Sequence, residues 1–236
     1  MKSDFAQTLL RKVRADYQML ADQYSATRKD IWPEYLEFQK YLQPGMKILD
    51  IGCGNGRLTK IFDKVKVDYT GVDVSPRMLE QARKLFPGYK FQVGDIMSLP
   101  FSEGEFDAVF CLQVLHQIPS GELRRQALGQ MLRVLKPGGR IILAVWNLWR
   151  PTYCSKLKRN NLKKFFGLTP YDKNDILIPW RDSEVEQYYH AFTQAELKRL
   201  LSQAGLRVER EFLGKEYKTD SKYHFNNIVI IAQKAG

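Results

Sequence analysis

One stretch constrains this chain more than any other: Asp50-Ile51-Gly52-Cys53-Gly54-Asn55-Gly56, which follows directly on the apolar run Lys47–Ile51. A strand that runs into alternate glycines turns sharply and lets a ligand come close to the main chain. Further short apolar runs follow: VDYTGVDV, YKFQVGDI, FDAVFCLQVL and RIILAVW. Helical segments separate them. Ser75-Pro76 reads as the N-cap and first position of PRMLEQARKLF, and a helix around Leu123–Leu135 stops at KPGG. Strand and helix alternating in this way predict an α/β fold, a mostly parallel sheet with right-handed crossovers and helices on both faces.

The flanks differ. Phe5, Leu9, Val13, Tyr17, Leu20 and Tyr24 recur every three or four residues and predict an amphipathic helix; Pro33 opens a short helix ending near Leu42. A helical segment is expected after Gly56. From Pro151 to Tyr188 the chain is polar, basic and aromatic, and reads as an insertion. Thr193 and Glu196 form a capping box, and the helix they open reaches Ala204, with Gly205 at C′. LRVEREFL and FNNIVIIAQ are two late strands, an antiparallel pair at the sheet edge. The predicted organisation is one domain over 1–236: a helical cap (1–45), a core (46–150), a basic and aromatic insertion (151–190) and a closing helix with strands (191–236).

Composition excludes several classes. With 236 residues, 44% hydrophobic and 27% charged, the chain is neither disordered nor low-complexity. No apolar run approaches the ~20 residues of a membrane span, and the N-terminus has no signal-peptide core, so a cytoplasmic protein without a membrane span is expected. Cys53, Cys111 and Cys154 stand far apart, with no Cys/His cluster at ligand spacing, so reduced thiols and no metal are expected. The net charge of +11 suggests a polyanionic partner.

Two acids extend the glycine motif. Asp73, ending GVD, can accept hydrogen bonds from both hydroxyls of a ribose. Asp95-Ile96, after the third strand, can hold an adenine amino group and ring face. A dinucleotide site wants G-x-G-x-x-G, but here the third glycine falls one place early and Arg57 takes its position. The tight G-x-G-x-G form led by an acid resembles motif I of class I S-adenosylmethionine (SAM) methyltransferases, over about Lys47 to Trp146. That resemblance implies a Rossmann-like fold, SAM as cofactor and S-adenosylhomocysteine as product. It implies cofactor contacts from Asp50, Gly52, Cys53, Gly54, Asn55, Gly56, Asp73, Val74, Asp95, Ile96 and Gln113.

The flanking motifs SATRKDIWP, VLH, DILIPW and EQYYHAFTQAEL occur in that order and resemble the tRNA wobble-uridine methyltransferases, which methylate the carboxylate of 5-carboxymethyluridine. The resemblance runs from about Tyr17 to Leu200. Gln117 stands where many members carry a second histidine, and the long Lys-rich insertion of eukaryotic members is missing. The resemblance implies tRNA as substrate and, in eukaryotic members, a small zinc-ribbon activator subunit. It places Arg28 and His116 as catalytic candidates, and Trp146, Arg181, Tyr188, Tyr189 and His190 against the substrate. The chemistry agrees: a carboxylate is already ionised at pH 7 and needs position rather than a base. Arg28 can clamp it bidentately, His116 can donate a hydrogen bond, and aromatic rings can stack on a splayed base. Lys156, Lys158, Arg159, Lys163 and Lys164, in a segment without acids, suit a phosphate backbone. With Phe165, Phe166 and Leu168 the same segment also reads as a membrane-surface element. A methyltransferase of quinone-type small molecules, or a non-catalytic RNA-binding subunit, would share the core motifs.

Overall fold

The computed structural model describes residues 1–62, 64–180, 185–214, 217–218 and 224–236. Its centre is a seven-stranded sheet in the order β3-β2-β1-β4-β5-β11-β8. β1 (Lys47–Ile51), β2 (Asp68–Asp73), β3 (Lys90–Val93), β4 (Phe106–Leu112) and β5 (Leu135–Trp146) run parallel. β11 (Asn227–Lys234) lies antiparallel to both β5 and β8 (Leu206–Leu213). The two late strands therefore pair as expected, and the second inserts beside β5 rather than lying outermost.

Both faces of the sheet are covered, which is why its strands read as nearly continuous apolar runs. Ile48, Phe110 and Ile142 face one core with Tyr35, Phe38 and Phe62. Their neighbours Leu49, Val109 and Ile141 face the other, against Leu128 and Met131 of α3 (Gly121–Val134) and Leu197 and Leu201 of α5 (Gln194–Gln203). Ser75 caps α2 (Pro76–Leu85), its hydroxyl accepting from Met78 N–H at 3.2 Å. Thr193 caps α5 through Glu196 N–H at 3.1 Å. The Glu196 carboxylate turns instead to His190, at 2.9 Å, so the capping box is half made.

Two expectations change. The segment after Gly56 is only a 3-10 turn, Arg57–Ile61, where Gly56 takes φ +78° and the Thr59 hydroxyl donates to Gly56 O at 2.8 Å. The described part of the insertion carries regular structure: α4 (Pro151–Phe165) is followed by an antiparallel hairpin of β6 (Asp175–Pro179) and β7 (Glu186–His190). Only Tyr153 and Leu157 of α4 are buried, too few to show as a periodic pattern. Strands β9 (Tyr217–Lys218) and β10 (His224–Phe225) make a separate short hairpin. Among the described residues no helix is long and apolar enough to cross a membrane, and no group of three or more His, Cys, Asp or Glu is arranged to hold a metal ion.

α1 (Ser3–Thr27) crosses the C-terminal ends of the parallel strands, where open α/β sheets bind ligands. The Ser75 hydroxyl donates to Gln18 Oε1 at 2.6 Å, and Arg77 pairs with Asp22 at 2.5 Å.

Candidate active site

Beneath α1 lies a cavity of about 100 Å³ that opens partly to solvent. Its floor is the ends of four strands: Gly52 and Gly54 after β1, Asp73 and Val74 at β2, Asp95 and Ile96 after β3, and Gln113 after β4. Gly52 takes φ +69°, and a Cβ there would lie 2.2 Å from Val114 Cγ2, so both backbone and space require glycine. Gly54 N–H donates to Asp73 Oδ2 and Ser75 N–H to Asp73 Oδ1, each at 2.9 Å. These bonds aim the Asp73 carboxylate from the main chain. Burial lifts its pKa above the usual carboxylate range, and the N–H groups of Ser75, Gly54 and Val74 oppose the rise.

A smaller polar recess adjoins the cavity, lined by Tyr35, Asp50, Cys53, Asn55, Arg57 and Gln113. Asp50 is buried and accepts from the Tyr69 hydroxyl at 2.8 Å. Burial pushes its pKa up to about 7, opposed by the Tyr69 hydroxyl and reinforced by the charge of Asp73. Gln113 takes φ +59°, a strained backbone for a residue with a side chain, and its Oε1 accepts from the Tyr35 hydroxyl. Two buried atoms at this recess have no partner among the described residues: Gln113 Nε2 and Asn55 Oδ1. A donor and an acceptor left open beside a carboxylate and a guanidinium suit the zwitterionic end of an amino-acid ligand. Of the motif glycines, Gly56 lines neither space; a Cβ there would strike the Phe91 ring at 2.8 Å, so it serves packing rather than the cofactor contact expected of it. The Cys53 thiol is buried, and burial raises its pKa well above the usual thiol value.

The upper wall is side chains. Arg28, at the end of α1, lines the cavity with its guanidinium 5.5 Å from the Trp180 ring and 5.8 Å from Tyr24. Asn55 Nδ2 donates to Arg28 O at 3.0 Å, tying the motif loop to this end of the helix. Trp146 faces the cavity with its indole stacked on Tyr189 at 4.9 Å. Arg14 pairs with Asp95 Oδ2 at 2.5 Å, and Met97 N–H takes Asp95 Oδ1 at 2.9 Å. The acid expected to hold adenine is thus shared with the helix above it.

Several candidates lie elsewhere. His116 is fully buried rather than facing the cleft. Trp146 N–H donates to its Nδ1 at 3.0 Å, and its ring packs against the stacked pair of Trp146 and Tyr189, 5.4 and 5.3 Å from their centroids. Burial, then the charge of His190, pushes its pKa down to about 3, because an imidazolium there would be stripped of water. Tyr188, Tyr189 and His190 are buried too, and line neither the cavity nor the recess. The Tyr188 hydroxyl donates to Asp175 Oδ1 at 2.8 Å, and His190 bridges Asp175 and Glu196 at 2.8 and 2.9 Å, so these residues hold the hairpin to α5. Lys156 donates to Leu177 O at 2.5 Å and Lys164 lies 3.4 Å from Asp172. Lys158, Arg159 and Lys163 are exposed on α4, outside the cavity lining. Arg181 lies outside the described residues. Sequence reasoning missed Arg14, Arg57 and Gln117 as wall residues; Gln117 Nε2 donates to the Tyr17 hydroxyl inside the cavity wall. Tyr17 and Tyr24 carried a signal, polar-tipped rings at the apolar positions of α1.

A parallel sheet whose first strand ends in a glycine turn, with an acid ending the second and an open polar recess beside the motif, is the cofactor-binding face of a class I methyltransferase. A family model described as "Methyltransferase domain" matches residues 49–143. A protein of Encephalitozoon cuniculi that carries a methyltransferase name is 32% identical over 200 residues, covering 84% of this chain and 88% of its own. The chain therefore belongs to the SAM-dependent methyltransferases, and S-adenosylmethionine is its methyl donor. A solved SAM-dependent methyltransferase of Methanosarcina mazei superposes with a TM-score of 0.72 at 27% identity, over 87% of this chain and 99% of that one. "Probable tRNA methyltransferase 9B" of Homo sapiens is 29% identical over 199 residues, 84% of this chain and 39% of that protein. The tRNA (carboxymethyluridine(34)-5-O)-methyltransferase of Arabidopsis thaliana is 32% identical over 130 residues, 55% of this chain and 31% of that one. The chain thus spans well under half the length of these two relatives.

Proposed function

We propose that this methyltransferase acts on tRNA and methylates the carboxylate of a 5-carboxymethyluridine at the wobble position. The observation that carries the reading is the composition of the upper wall. Arg28 sits beside two aromatic rings in a cavity that Trp146 also lines, and among the described residues lining that cavity the carboxylates are Asp73 and Asp95, with no histidine. Asp73 is held by two backbone N–H groups and Asp95 by Arg14 and Met97; His116 lies outside the cavity lining with Nδ1 already accepting from Trp146 N–H, and Asp50 lies in the adjoining recess assigned to the amino-acid end of the cofactor. A carboxylate acceptor arrives ionised and needs position rather than a base. The names of the relatives and the net charge of +11 support an RNA substrate.

In this mechanism Asp73 holds the ribose hydroxyls, and Ile96 and Val74 cover the adenine. Asp50, Asn55, Arg57 and Gln113 receive the amino-acid end of the cofactor. The bound cofactor supplies an electrophilic methyl group on a sulfonium. Arg28 would take the substrate carboxylate by paired hydrogen bonds and fix its orientation in the cavity. Trp146 offers a face to the uracil ring, backed by Tyr189 and by His116, which holds the Trp146 main chain. A small zinc-ribbon activator subunit is the partner this reading implies.

The test is methyl transfer from isotope-labelled SAM to tRNA from cells lacking the gene, followed by nucleoside mass spectrometry. Label in the methyl ester of 5-carboxymethyluridine is expected. Label in another nucleoside would keep RNA but remove the carboxylate mechanism, and label only in a small carboxylic acid or quinone precursor would remove RNA.

A further inference from the structure

The end of α4 is a prominent surface feature that the methyl-transfer site does not use. Leu162, Phe165, Phe166 and Leu168 are 58%, 82%, 63% and 73% exposed. Single exposed apolar residues are ordinary, but four large ones within residues 162–168 form one patch, and such patches mark interaction sites. The inner side of α4 is accounted for. Tyr153 and Leu157 are buried, Asn160 Nδ2 donates to Asp175 O at 3.2 Å, and Asn161 Nδ2 to Asn174 Oδ1 at 3.0 Å. That leaves an outer stripe of Lys158, Arg159, Leu162, Phe165 and Phe166, flanked by Lys163.

The helix end is also closed electrically. Leu168 N–H donates to Lys163 O at 2.8 Å, and Gly167 N–H, at φ +70°, to Lys164 O at 3.0 Å. This is a Schellman cap. Phe166 N–H donates to Leu162 O at 3.2 Å. The carbonyls of Lys163 and Lys164, two of the four that a helix end leaves open, are thereby paired.

We propose that the tip of α4 docks on an anionic lipid bilayer surface. Leu162, Phe165, Phe166 and Leu168 enter the boundary between headgroups and acyl chains, and Lys158, Arg159 and Lys163 meet the lipid phosphates. The spacing fits. A rise of about 1.5 Å per residue sets Lys158 and Arg159 roughly 9–10 Å behind Phe165. With the helix end pointing into the bilayer, burying the tip to about 5–10 Å, the depth that apolar faces of interfacial helices reach, leaves those cations at headgroup level. A phosphate backbone of RNA would satisfy the same cations but not the rest of the patch. Leu162 and Leu168 have no ring face to stack on a base, and the Phe165 and Phe166 rings meet edge to face at 5.2 Å and 84° rather than as open shelves.

The experiment is co-sedimentation of the full chain with phosphatidylcholine vesicles, with and without about one-third phosphatidylserine, at low and high salt. Wild type and the double variant Phe165→Ser, Phe166→Ser are compared. The expected result is sedimentation with the anionic vesicles only, weakened by salt, and at least tenfold weaker partition of the variant. Its affinity for S-adenosylhomocysteine, measured by calorimetry, stays unchanged and shows that it is folded. Absence of phosphatidylserine-dependent sedimentation at low salt would overturn the proposal, as would a variant that partitions like wild type. A variant that instead loses affinity for tRNA would assign the patch to RNA. One that converts a wild-type dimer to a monomer would assign it to a second copy of the chain.

Discussion

The two walls of the active-site cavity are built in different ways. The floor is main chain: Gly52 and Gly54 in left-handed conformations, and two backbone N–H groups holding Asp73. The upper wall is side chains on α1 and on the segment after β6: Arg14 on Asp95, Arg28 beside Tyr24 and Trp180, and Tyr17 with Gln117. A backbone site is fixed by the path of the chain and tolerates almost no substitution. A side-chain wall can change identity without disturbing the sheet. The difference assigns the shared chemistry, cofactor binding, to the floor, and the choice of acceptor to the wall.

Substitutions should separate the two. The largest effect is expected from Gly52→Ala, where φ +69° and the Val114 methyl at 2.2 Å both oppose a Cβ. We expect loss of S-adenosylhomocysteine binding by two orders of magnitude or more, or a chain too unstable to isolate; calorimetry and thermal melting read both. Asp73→Ala removes the carboxylate and the acceptor of the Gly54 and Ser75 N–H groups, and should weaken the cofactor about 10²-fold while also lowering the melting temperature of the apo-protein. An unchanged dissociation constant would separate Asp73 from the ribose.

Asp50 makes a pH prediction. Burial raises its pKa from an ordinary 3.8 to about 7, so the folded state keeps a proton that the unfolded chain releases above about pH 4. Its contribution to stability is therefore largest below the unfolded pKa and falls as pH rises towards 7. Asp50→Asn should flatten that part of the stability profile between pH 5 and 7; an identical slope in both proteins would show that Asp50 ionises normally. The smallest effect is expected from Arg14→Ala. The pair with Asp95 is about one-third exposed on each side and is worth no more than about 1 kcal/mol. Cofactor affinity should change less than about fivefold, with faster dissociation in stopped-flow measurements.

The same division explains what could be read from the residues alone. The floor was legible because glycine spacing and strand-terminal acids are local signals: Gly52, Gly54, Asp73, Asp95 and Ile96 all reach the cavity. Gly56 follows the same pattern, yet its space is filled by Phe91, a partner distant in sequence. The wall was legible only in part. Arg28 and Trp146 reach the cavity. The position of His116 after β4 gave its level in the sheet but not its side, and the rings of Trp146 and Tyr189 close over it. Tyr188 and His190 looked like polar substrate contacts because their partner, buried Asp175, is brought to them only by the hairpin. α4 was hidden because two buried residues suffice to seat it.

The most direct test of this division is Arg28→Ala, with methyl transfer to tRNA and S-adenosylhomocysteine affinity measured on the same preparation. If Arg28 belongs to the wall and clamps the acceptor, transfer falls at least about 10²-fold while the dissociation constant stays within about threefold. Parallel loss of cofactor affinity would place Arg28 in the cofactor site, and full transfer activity would remove it from the reaction; either result contradicts the assignment of the acceptor to the side-chain wall.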